Sequence, residues 1–350
     1  MAPSTKAGAG AGTGAGTEAG TDVVPVQQHP RPWRRVSLRD AGPPIALVVI
    51  FGVFAVLSPD FRTVSNVQNV LDAAAVLAVV TCGISFVLMM GSIDLSAPGI
   101  MGAAAITVAL LAANNRNDND LGLLAVAVAV LLAAALGCLS GLALVVLKVP
   151  SFMTTLGISA VGLGLATLMF AGVQPNVSDP MLEGWAVERF GGLARLTWIA
   201  LACVLVGALV QRYTRLGRYA FAIGGAEEVL ALSGVRVAPY KVAVFTMAGA
   251  FYGLAGVLVT SQLGAGLVQA GRGYDFSAIT AAVVGGTLLT GGRGGILHST
   301  VGVLLVTVLT NGLVQVGVSP YWQGGVQGLI VVAAVAAAVI PQRRRNQVTK

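Results

Sequence analysis

The residue types that carry out reactions are scarce in this chain, and each stands alone. The two histidines, His29 and His298, are too far apart for an HExxH-type metal site. Cys82, Cys138 and Cys203 each sit singly inside an apolar run, without CxxC spacing. They support neither a disulfide framework nor a thiolate zinc site, and read as buried packing residues. No GxxxxGK[ST] sequence and no Gly-Lys pair occurs, so no phosphate-cradling loop of that kind exists. If ATP drives this protein, another chain hydrolyses it. An ionisable residue at membrane depth costs about 3 kcal/mol or more and so implies a purpose. Here Asp72 falls near the end of an apolar run, and Asp94 and Arg293 fall at breaks between runs. No buried chain of acids and bases forms, which disfavours proton coupling. Neither catalytic residues, nor a metal, nor a cofactor is expected.

Two interruptions hold most of the remaining polar chemistry. The first is Gly91-Ser92-Ile93-Asp94-Leu95-Ser96-Ala97-Pro98-Gly99. Asp94 and Ser96 suit the start of the following helix, and Pro98 is tolerated in its first turn. The segment is either a capped helix–helix turn or a broken helix lining a cavity, where irregular backbone is allowed. The second is the long stretch 213–240. Gly224 and Gly225 are expected to break its backbone, Glu227 and Glu228 suit the positive end of a short helix, and Gly234 suits its stop. That helix would run about two turns, too short to stand alone. It carries Val229, Leu230 and Leu232, apolar residues that need a partner surface. The partner is either the protein's own helix ends or another subunit.

The elements around these segments are set by composition. Only 10% of the 350 residues are charged and 56% are apolar, giving a mean hydropathy of +0.84. A soluble domain carries roughly 25% charged residues, so these charges cannot coat a globule of this size. Lipid-facing helices need none, and the chain reads as an all-α integral membrane protein. A helix needs about 20 apolar residues to cross. Uncharged runs at 41–59, 73–93, 95–115, 121–147, 149–178, 196–211 and 242–271 supply seven spans. The stretch from Phe276 onward is divided into three more by the turns at Gly291–Gly295 and Gly317–Pro320. Ten spans are expected, within a permease domain at 43–340.

Residues 1–42 form an Ala/Gly/Thr-rich tail that cannot bury enough surface to fold, ending in a basic flank of Arg31, Arg34, Arg35 and Arg39. Residues 341–350 form a basic C-terminal tail. With ten alternating spans, of the 21 basic residues only Arg62, Arg116, Arg189, Arg195 and Arg272 fall on the side opposite the N-terminus. The positive-inside rule then places both termini and the 213–240 loop in the cytoplasm. The net charge of +7 is accounted for by this asymmetry, and nucleic acid is not a predicted partner.

Gly91 to Gly99 resembles the Gly-Gly-Ile-Asp-Leu-Ser-Val-Gly motif of the ribose/xylose/galactose-type ABC importer permeases. Val149-Pro150-Ser151-Phe152-Met153-Thr154-Thr155-Leu156-Gly157 is similar to that family's Val-Pro-x-Phe-x-x-Thr-Leu-Gly. Gly217 to Val235 resembles its cytoplasmic Gly-Arg-x-x-x-Ala-x-Gly-Gly-Asn loop ending in Ser-Gly. Two further blocks match: Gly273-Tyr274-Asp275 through Arg293-Gly294, then Asn311-Gly312-Leu313 and Ser319-Pro320-Tyr321-Trp322-Gln323. The similarity runs in order across about 45–338.

The resemblance implies a type II importer in a bacterial plasma membrane, with two ten-helix subunits, copies or paralogues, forming the pathway between them. It implies that Gly217, Arg218, Gly224, Gly225, Glu227, Glu228, Leu230, Ser233 and Gly234 belong to a coupling helix gripped by a cytoplasmic ATPase subunit. A sugar-binding protein would deliver substrate at the outer face. Asp94, Ser96, Thr155, Arg293 and Asn311 are candidates for the pathway or its helix breaks. Three departures are visible: Ala226 in place of Asn, which removes a helix N-cap, Pro98 in place of Gly, and His298 where Gly is common. The identity of the sugar does not transfer across them. The alternative function is a self-contained secondary transporter or channel for a small polar solute.

Overall fold

A computed structural model describes residues 38–319 together with 322, 325, 328 and 329. The predicted N-terminal tail to residue 37, the tenth apolar run and the basic tail at 341–350 lie outside the described residues.

The order is α1 (Leu38–Leu57), a 3-10 turn (Pro59–Arg62), α2 (Val64–Met89), α3 (Ala97–Leu111), α4 (Leu123–Leu147), α5 (Ser151–Phe170) and α6 (Pro180–Val187). A two-stranded hairpin follows, β1 (Arg189–Phe190) and β2 (Leu193–Ala194), then α7 (Arg195–Tyr213), α8 (Arg215–Leu232), α9 (Val237–Leu263), α10 (Tyr274–Val284) and α11 (Ile296–Gln315). Six of these, α2, α4, α5, α7, α9 and α11, are long and apolar enough to cross a membrane. Three predicted spans are shorter apolar helices: 41–57 within α1, α3 and α10. At about 1.5 Å per residue, α3 and α10 fall short of a roughly 30 Å hydrocarbon core. Their apolar runs also contain non-helical backbone, at 90–96 and 285–295, which run length alone does not reveal.

Burial separates the helices into two kinds. α2 and α3 are enclosed nearly all round, with Val79, Ile84, Phe86, Leu88, Ile100 and Ala104 inaccessible. α4 buries one narrow stripe, Ala125, Ala129, Ala133 and Leu136, and exposes Leu124, Leu131, Leu139 and Leu142. In water such a surface would aggregate; against lipid tails it costs nothing. Small residues therefore set helix contacts here, because close packing replaces the missing hydrophobic drive. Along α4 and α9, a Cβ at Gly137 would meet the Phe245 carbonyl at 2.3 Å, and one at Gly249 the Ala133 carbonyl at 2.4 Å.

The two ends of the bundle differ. At one end, bridges Asn114–Val177 and Asn176–Ala265 tie together the chain following α3, α5 and α9. The Arg116 guanidinium donates there to the Met169, Phe170 and Val173 carbonyls. Asp72 of α2 accepts the Ala194 N–H and the Thr197 hydroxyl and pairs with Arg189, fixing the hairpin beside α7. α8 lies at the opposite end of α7.

Candidate functional site

Both helix breaks open in the same way. α2 is capped at Met90, and Gly91 takes φ +75°, which L side chains rarely adopt. The Gly91 N–H bonds the Leu88 carbonyl at 2.8 Å and the Ser92 N–H bonds Val87 at 3.1 Å. This is a Schellman closure, with the orphan carbonyls satisfied by the two residues after the cap. α10 ends identically: Gly286 at φ +102° bonds Val283, and Thr287 bonds Ala282, each at 2.9 Å. Two glycines placed one past a helix end thus produce two equivalent exits.

Beyond each exit the backbone needs donors and acceptors from outside, since irregular chain inside a bundle cannot leave them bare. At the first break they come from α5 and α9. Ser151, Thr155 and Ser159, spaced four apart, lie on one face of α5. Their hydroxyl oxygens accept the N–H groups of Ile93 (3.0 Å), Leu95 (3.0 Å) and Gly99 (3.2 Å). Asp94 is buried, and its Oδ1 accepts the Ser96 N–H at 2.9 Å and the Ser96 hydroxyl at 2.6 Å. Its Oδ2 accepts the Tyr252 hydroxyl of α9 at 2.9 Å. Asp94 therefore locks the turn before α3 and anchors it to α9. At the second break, the Thr287 hydroxyl accepts the Gly295 N–H at 3.3 Å, and Gln211 of α7 accepts the Ile296 N–H at 2.8 Å. Ser299 links Thr287 to Ser85 of α2.

The segment predicted as a coupling loop is one kinked helix, α8. Thr214 caps it, accepting the Gly217 N–H at 3.3 Å, and Gly217 lies so close to the Gln211 carbonyl that a Cβ there would sit 2.2 Å from it. The backbone leaves helical geometry at Ala226 (φ −165°, ψ 80°), one residue after the glycine pair expected to break it. Gly224 serves a different purpose. A Cβ on Gly224 would meet the Met89 carbonyl at 2.1 Å and the Gly292 N at 2.6 Å, and one on Gly291 would meet Gly91 N at 2.6 Å. The Gly292 N–H also bonds the Met89 carbonyl at 2.9 Å. α8 is thus seated, main chain on main chain, against both breaks at once.

Past the kink, Glu227 pairs with Lys241 of α9 at 2.7 Å, while Glu228 is exposed. Leu230 is half-buried against the core, whereas Val229 is 63% and Leu232 88% exposed. Ser233 closes the helix, its hydroxyl donating to Val229, and Gly234 takes φ +82°. Arg218 is exposed beside Tyr213.

Of the sequence-predicted pathway residues, Asp94, Ser96 and Thr155 come together at the first break. Arg293 lies in the second break with its side chain exposed and its carbonyl accepting the Leu288 N–H. Asn311 lies about four turns further along α11 and joins neither cluster. Its buried Oδ1 has no partner among the described residues. Ser151, Ser159, Tyr252, Gln211, Thr287 and Ser299 were not singled out from the sequence. The four-residue spacing of the α5 hydroxyls is the one signal that could have pointed to any of them.

The family model described as "Branched-chain amino acid transport system / permease component" matches residues 66–335. The chain is similar to the ribose import permease protein RbsC of Escherichia coli K12, 34% identical over 298 residues, covering 83% of this chain and 91% of that one. It is also similar to the galactose/methyl galactoside import permease protein MglC of the same strain, 29% identical over 324 residues, covering 88% and 96%. No solved structure matches.

Proposed function

The chain belongs to the family of branched-chain amino acid transport system permease components, and from that premise we propose that it is the membrane-spanning permease of an ATP-driven monosaccharide importer. It is not an enzyme; a separate ATPase subunit hydrolyses ATP, and an extracytoplasmic binding protein delivers the sugar. The chain is multi-pass in the inner membrane.

One observation carries the mechanism: an apolar, exposed helix end, with Val229 and Leu232, on a segment whose other half rests on both helix breaks. An exposed Leu beside the charged Glu227 and Glu228 suits docking in a cleft of the ATPase, with Gly217, Arg218, Gly224, Gly225, Leu230, Ser233 and Gly234 shaping the segment. Movement of the ATPase pair then displaces α8, and α8 displaces the chain at Asp94, Ser96 and Thr155 and at Arg293. Asn311, half-buried in α11 with an Oδ1 that has no partner among the described residues, is a further pathway candidate. In this reading α1, the short helices α3 and α10, and the run beyond residue 320 complete ten spans, both termini are cytoplasmic, and a second copy or paralogue closes the pathway.

The test is reconstitution of the complex. Changing Glu227 and Glu228 to Lys is expected to abolish ATPase association and sugar uptake while leaving the permease in the membrane. Intact association would show that α8 does not couple. Uptake into liposomes by the permease alone would instead establish a self-contained transporter.

A further inference from the structure

A second site lies at the end of α7 remote from α8. Trp185 of α6, Glu188, Arg189 and Phe190 of β1, and Arg195 and Trp198 of α7 line an open cavity of about 420 Å³. The hairpin sets this geometry, its two-residue turn having both glycines at positive φ, Gly191 at 59° and Gly192 at 85°. Arg189 is held from behind by Asp72 at 3.3 Å and donates to the Gly192 carbonyl at 2.9 Å. Trp198 donates its indole N–H to the Phe190 carbonyl at 3.0 Å, and the two rings meet edge to face at 5.8 Å. Arg195 and Glu188 form an ion pair whose side chains are both about half exposed. Among the described residues nothing accepts the Trp185 indole N–H.

The chemistry of this cavity is dipolar. Three aromatic side chains beside one carboxylate can cage an ammonium group, attracted by ring quadrupoles and by Glu188. Arg195, with four of its five N–H donors outside the Glu188 pair, and the free Trp185 N–H suit a phosphate. The two arginines are balanced by Asp72 and Glu188, so the pocket has no net charge with which to favour an anion over a zwitterion. Below Trp198, the same face of α7 exposes Leu201, Leu205 and Leu209 in an unbroken stripe. Aromatic and arginine side chains at the head of an apolar stripe are what a membrane interface selects.

We infer that this cavity holds the headgroup of one zwitterionic phospholipid, in the leaflet opposite α8. The ammonium lies in the Trp185–Phe190–Trp198 cage against Glu188, the phosphate on Arg195, and the acyl chains along α7. The occupant is an aminophospholipid and not the transported solute, so the site is independent of which sugar is carried.

The full-length protein, exchanged into micelles with equal phosphatidylethanolamine and phosphatidylglycerol, is examined by native mass spectrometry. The first retained lipid should be phosphatidylethanolamine, favoured by about tenfold. Glu188→Gln and Trp198→Leu should each reduce that preference to parity, and Glu188→Asp should keep most of it, which separates loss of the site from loss of the fold. Parity in the unaltered protein, or a preference for phosphatidylglycerol, overturns the inference. So does quenching of tryptophan fluorescence by ribose or galactose that disappears in Trp198→Leu, because the cavity would then be a saccharide site.

Discussion

At the scale of single residues, the buried carboxylate of Asp94 has the clearest assignment. Three donors from Ser96 and Tyr252 surround it. Tyr252 is placed by Gly83, where a Cβ would come within 2.8 Å of its ring. Tyr252→Phe preserves that packing and removes one donor from a buried acceptor, which is expected to cost about 1–3 kcal/mol. A lowered melting temperature in detergent checks it; unchanged stability would mean that Asp94 is held by Ser96 alone. Thr155→Val is a sharper probe of the break, since the side chain keeps its shape while the Leu95 N–H loses its acceptor. A similar penalty is expected, with sugar uptake reduced more than membrane insertion. The role of Asp94 was half legible in the sequence: its position between apolar runs marks a turn, but its partner is 158 positions away on α9. No local pattern reveals such a contact.

At the scale of elements, α8 shows both what sequence discloses and where it stops. Glycines, glutamates and exposed leucine sufficed to identify a short helix near 227–232, and that helix is present. The kink was placed at Gly224–Gly225 because glycine weakens a helix. The structure instead uses Gly224 for close approach and puts the extended residue at Ala226. An extended residue immediately before a helix is an N-cap position, and alanine leaves the first N–H groups without an acceptor. Ala226→Asn is therefore expected to stabilise the outer half of α8 by about 0.5–2 kcal/mol, measured as slower amide exchange at 228–230. Gly224→Ala has the opposite consequence, since its Cβ would sit 2.1 Å from the Met89 carbonyl. The protein should still insert and bind the ATPase while uptake falls at least tenfold. The breaks after α2 and α10 were visible as glycine clusters. That each is a Schellman exit closed by neighbouring helices was not, because the closing groups belong to α5 and α7.

At the scale of the molecule, the low share of charged residues pointed to a helical membrane protein. Among the described residues six helices are long and apolar enough to cross, and apolar runs do not report where their backbone ceases to be helical. Tight contacts between α4 and α9 make the bundle intolerant of bulk: Gly249→Val should lower the yield of folded protein, as overpacking there displaces the Ala133 backbone. The meeting of Gly91, Gly224 and Gly291 carries a genetic consequence. A joint made of bare main chain has no rotamers in which to absorb a push, and no side chain that a neighbour could trim to make room. Alleles that abolish growth on the sugar yet leave normal amounts of permease in the envelope should accumulate at these three codons. Suppressors should restore glycine itself, because every other facing atom belongs to the backbone.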